Sequence, residues 1–74
     1  MPFYDALRHI LNTAQGKVRR LGWAEGVFIK RGYHNGYSMV YLHKNNEVVL
    51  FQPTAEDLVA HDWVQIKEAH NEIY

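Results

Sequence analysis

Between Lys17 and Phe51 the chain carries four short runs of strand-forming residues, and the last three are separated by very short turns. Asn35-Gly36 divides the runs 27–31 and 37–43, and both residues tolerate the positive φ that two-residue hairpin turns require. Lys44-Asn45-Asn46 divides 37–43 from 47–51 in the same way. Connections this short force antiparallel neighbours. A parallel sheet is excluded for this stretch, because each parallel pair needs a crossover of a dozen or more residues.

The flanking segments supply helices and one more strand. Phe3, Ala6, Leu7, Ile10, Leu11 and Ala14 recur at the spacing of one helical face, with Asp5, Arg8, His9 and Asn12 opposite. This predicts a helix over 3–14, with Pro2 at its first position, Asp5 favoured by the helix dipole and Gly16 as its stop. A first strand over 17–21 breaks at Gly22. Pro53 ends the fourth strand, and Thr54 with Asp57 three residues on forms a capping box for a short helix over 55–60. Residues 63–67 alternate as a fifth strand. The fold class is α+β: an N-terminal helix packed on an antiparallel sheet of four to five strands, with a short helix before the last. Residues 1–67 make one domain, and 68–74 read as a polar tail.

A chain of 74 residues without cysteine builds only a marginal core. The strands 37–43 and 47–51 read as central and are apolar on both sides. Val40 and Leu42 oppose Met39 and Tyr41, and Val48 and Leu50 oppose Val49 and Phe51. One helix covers one face, so the other face is expected to meet a partner subunit.

Composition excludes several function classes. Eight Lys and Arg balance eight Asp and Glu, which argues against a generic binder of DNA or RNA polymer. No apolar run approaches the roughly 20 residues of a membrane span, and no leader pattern is present, so a cytoplasmic protein without membrane contact is expected. Without cysteine there is no thiolate metal site, and the five histidines are not paired at ligand spacing, so neither metal nor cofactor is expected. Ser38 is the only serine and lacks a nucleophile-elbow context. Asp57 and Asp62 could form a carboxylate pair, although a cap plus a turn explains them more simply. No enzyme signature emerges.

Lys17, Arg19 and Arg20 form a local basic cluster beside Trp23, which lies between Gly22 and Gly26. Basic side chains neutralise phosphate, and an indole face stacks on a base for roughly 1 to 3 kcal/mol. A charged strand edge followed by a core tryptophan would look the same. Trp63, opening the last strand, reads as core; Trp23, at a strand end between glycines, reads as a surface or interface residue.

Two blocks carry a family resemblance. The first is Phe3-x-x-Ala6-Leu7 followed by Gly16-Lys17-Val18-Arg19-Arg20-Leu21-Gly22-Trp23, and the second runs from Thr54 through Asp57, Ala60 and Asp62 to Trp63-Val64. In this order and at this length the chain resembles the second Thoeris anti-defence family of small phage proteins. The resemblance covers roughly residues 3–31 and 51–66, and the central hairpin is not matched in detail. Ala55 and Phe51 stand where the family often has Gln and Trp.

The resemblance implies a non-catalytic sponge. It would be a homo-oligomer, typically a tetramer, holding a cyclic nucleotide immune signal between subunits: glycocyclic ADP-ribose or a cyclic dinucleotide. The expected ligand-binding residues are Arg19, Arg20, Gly22 and Trp23, with Phe28, Phe51, Thr54 and Asp57. Trp23 would stack on a base, Arg19 or Arg20 would meet phosphate, and Asp57 would accept from ribose hydroxyls or a base edge. The alternatives are a protein-binding module that inhibits a host enzyme, and a small nucleotide-processing enzyme.

Overall fold

A computed structural model describes residues 1–67; the polar tail expected over 68–74 lies outside the described residues. The elements run α1 (Phe3–Asn12), β1 (Lys17–Arg20), β2 (Val27–His34), β3 (Tyr37–Lys44), β4 (Glu47–Leu50), α2 (Ala55–Val59) and β5 (Trp63–Gln65). All pairings are antiparallel, in the order β4-β3-β2-β1-β5. The α+β class and the five-stranded sheet are as the residue pattern predicts. None of the described helices is long and apolar enough to cross a membrane.

The differences have local causes. Pro2 is the N-cap of α1, not its first helical residue: it is extended, and its carbonyl accepts from the Ala6 N–H. The helix stops at Asn12, two residues early, because Thr13 turns extended and its carbonyl takes the Gly16 N–H at 2.9 Å. Ala14 consequently falls outside the helix and is exposed, and Leu11, still within α1, is exposed as well. The β2–β3 hairpin is longer than expected, because Asn35 (φ 52°) and Gly36 (φ 83°) form its tip and the strands pair out to His34 and Tyr37. β4 is an edge strand, where the two-faced pattern suggested a central one. After Phe51 the chain leaves the sheet, passes through α2 and docks β5 against β1 instead.

Ala6, Ile10, Val18, Ile29 and Trp63 are fully buried and form the core. Phe3, Trp23 and Phe51 pack around Trp63, with ring centroids 5.3, 5.3 and 6.3 Å from it. Phe51 continues β4 at one edge and Trp63 opens β5 at the other. Across a flat sheet those positions would be about 19 Å apart at roughly 4.8 Å per strand, so the sheet curls around this aromatic cluster. Trp63 is core as the sequence implies. Its Nε1–H donates to the Asp57 carbonyl at 3.1 Å, which satisfies the one polar atom it buries.

Candidate functional site

The strand period of two divides the basic cluster. Val18 is buried against α1, so Lys17 and Arg19 point to the opposite face of the sheet, while Arg20 returns to the side of Val18. Two neighbouring arginines therefore enter different environments.

Arg20 meets two carboxylates. Its Nη1 donates to Asp57 at 3.0 Å and its Nε to Asp62 at 2.8 Å. Asp57 is buried and also closes the capping box of α2: it accepts from the Thr54 N–H at 2.9 Å, and its own N–H donates to the Thr54 hydroxyl at 3.1 Å. Arg20, Thr54, Asp57 and Asp62 thus tie α2 and the start of β5 to β1. Burial pushes the Asp57 carboxyl upward, but the Thr54 N–H and the Arg20 guanidinium outweigh it and hold it below its ordinary value. Asp62 is lowered chiefly by Arg20, and Arg20 is raised by Asp62 and then Asp57.

These shifts predict an acid-sensitive lock. Both carboxyls sit below 3.8 when folded, so their contribution is fully present above about pH 4 and is lost as pH falls through the folded values. Chemical denaturation at pH 7 and pH 3 should therefore show a smaller acid loss for Arg20→Met than for the parent chain. An equal loss would mean that Arg20 does not set the acid response.

The opposite face carries a cleft of about 380 Å³ where β1 and β5 meet the 25–28 segment. Lys17 and Arg19 supply cations, Phe28, Val64 and Ile66 an apolar wall, and Glu25, Gly26 and Gln65 the rest of the lining. Arg19 is held by its own chain: Nη2 donates to the carbonyls of Leu21 and Trp23, and its buried Nε finds no acceptor among the described residues. Lys17 Nζ sits over the Phe28 ring, 4.9 Å from its centroid. On the other side of β2, His43 stacks on Phe28 at 4.8 Å and 11°. Both faces of Phe28 are thus flanked. Burial, then Lys30 and Lys17, depresses His43 below 6.5 and keeps the imidazole neutral near pH 7.

The eight expected binding residues therefore fall into separate groups. Arg19 and Phe28 line the cleft. Arg20, Thr54 and Asp57 form the ion-pair and capping lock on the other face. Trp23 and Phe51 belong to the aromatic cluster, where Trp23 is half-buried and meets Phe51 edge-on at 6.2 Å. Gly22 is exposed in the turn between β1 and β2, beside the Trp23 N–H that donates to the Arg20 carbonyl. Sequence reasoning did not select Val64, Gln65, Ile66 or Glu25. Lys17 was legible, since it stands two residues from Arg19 on a strand whose middle residue is apolar. Among the described residues no three His, Asp or Glu side chains come together as a metal site.

The chain is thus a small helix-backed antiparallel sheet with a cationic, apolar-walled cleft on the face opposite α1. The family model described as the Thoeris anti-defense 2-like domain matches residues 1–66, and the chain belongs to that family. This makes it a Thoeris anti-defence protein. No curated protein matches the chain.

Proposed function

We propose that the protein is a sponge that binds a cyclic nucleotide immune signal, glycocyclic ADP-ribose or a cyclic dinucleotide, and holds it uncleaved. The observation that carries this reading is the cleft: two cations, Lys17 and Arg19, beside the apolar wall of Phe28, Val64 and Ile66. Cations oppose phosphate charge and apolar surface covers a base, which is the division of labour a nucleotide requires. The volume, about 380 Å³, lies in the usual range of small-molecule sites. Family membership supports the anti-defence role. A homo-oligomer, with four copies as the first expectation, would deepen a cleft that is open in the single chain.

Native mass spectrometry against a panel of cyclic nucleotides tests this. The expected result is a bound mass for at least one member of the panel, with the same nucleotide recovered unchanged after heating. Recovery of a cleaved product would make the protein an enzyme. Failure to retain any member would remove the sponge reading.

A further inference from the structure

The outer side of β4 is open and apolar. Phe51 N–H donates to the Val40 carbonyl at 2.9 Å, which sets the alternation along this edge. The backbone groups of Glu47 and Val49 face β3, and those of Val48 and Leu50 face outward. The side chains are no better covered: Val48 is 56% exposed, and Val49 and Leu50 are each 46% exposed. Two of the devices that blunt a sheet edge are present, since β4 is only four residues long and carries Glu47, but others are missing from this strand. It has no proline and no lysine, and its register with β3 runs without a bulge from Glu47 to Leu50.

We propose that a second copy of this chain adds to β4, antiparallel, across a two-fold axis at Val49, joining two five-stranded sheets into one. The strand that fits here must offer outward N–H and C=O groups two residues apart, with apolar side chains on both faces. β4 itself meets both conditions. With the axis at Val49, Val48 pairs with Leu50 of the partner subunit and Leu50 with Val48 of the partner subunit. Both outward residues of each strand are thereby hydrogen-bonded within the strands themselves. Moving the axis to Val48 or Leu50 leaves one of those pairs to be made with Asn46 or Gln52 instead. In the Val49 register Glu47 faces Phe51 of the partner subunit, so no like charges meet. The chain's zero net charge adds no long-range repulsion between copies. The inference rests on the homo-oligomer of the proposed function and not on the identity of its ligand.

The absence of cysteine from the chain allows a register test. Val49 would face its own copy as a non-hydrogen-bonded pair with Cα atoms about 4.5 Å apart, within disulfide reach. Two copies of residue 48 would stand about 8 Å apart, two residues along and one strand across, beyond the roughly 7 Å limit. Treated with diamide, which takes two electrons and two protons from a thiol pair, Val49→Cys should form a covalent dimer that reductant dissolves. Val48→Cys should not. Equal cross-linking of both variants, cross-linking of Val48→Cys alone, or none in either would overturn the proposal. Sedimentation gives an independent measure: the parent chain should be at least dimeric at micromolar concentration, and Val49→Glu should be lighter yet folded. A monomeric parent chain, or an unchanged Val49→Glu, would also overturn it. Nucleotide retention measured on the same samples keeps the two ideas apart. A monomer that holds nucleotide refutes the edge alone, and a Val49-linked dimer that holds none refutes the sponge alone.

Discussion

Trp63→Ala should lower the melting temperature by tens of degrees and leave much of the protein unfolded at 37 °C. Trp63 is fully buried, and three aromatic rings and the Asp57 carbonyl surround it. Removing a buried tryptophan costs about 3 to 5 kcal/mol, from lost transfer energy and from the cavity left behind. At roughly 0.05 to 0.15 kcal/mol per residue, a domain of this length holds about 4 to 11 kcal/mol in all. Near the melting point each kcal/mol corresponds to about 4 to 8 °C in a domain of this size. Thermal unfolding followed by circular dichroism checks this; a variant melting within about 5 °C of the parent chain would show that the aromatic cluster is not the core. Trp23→Ala should fall between the two, losing about 1 to 3 kcal/mol, because Trp23 is half-buried at the rim of the same cluster.

Arg19→Met and Arg20→Met should fail in opposite ways. Arg19 lines the cleft, so its loss should weaken nucleotide binding by about 10- to 100-fold, as expected when a charged hydrogen bond of about 1.5 to 3 kcal/mol is removed. Arg20 lies on the other face and holds Asp57 and Asp62. Its loss should lower the melting temperature while affinity stays within a few-fold of the parent chain. Calorimetric titration and thermal melts on the same two preparations separate the outcomes. If Arg20→Met loses affinity as severely as Arg19→Met, or Arg19→Met keeps it, the nucleotide does not occupy this cleft.

Much of the candidate site was readable from local pattern. The basic cluster at 17–20 was visible, and alternation about Val18 is enough to send Lys17 and Arg19 one way and Arg20 the other. The capping box of Thr54 and Asp57 was visible for the same reason, because its partners are three residues apart. Other contacts join residues far apart in the chain. Arg20 finds Asp57 and Asp62 from 37 and 42 positions away, and Phe51 reaches the ring of Trp63 across a curled sheet. No spacing rule announces such contacts.

From the residues alone come the elements, their antiparallel pairing through tight turns, the fully buried Trp63 and the apolar character of both faces of β4. Each is a matter of periodicity, turn chemistry or amphipathicity within a few residues. Tertiary structure decided that β5 docks on β1 and not on β4. That choice buries Trp63 with Phe3, Trp23 and Phe51, and it brings the Asp62 carbonyl within 3.1 Å of the Leu21 N–H. It also walls the cleft with Val64 and Ile66 and leaves β4 as the open edge. Docking β5 on either edge would satisfy the same local patterns. The difference is the burial of one large aromatic side chain, which depends on residues brought together from both ends of the fold.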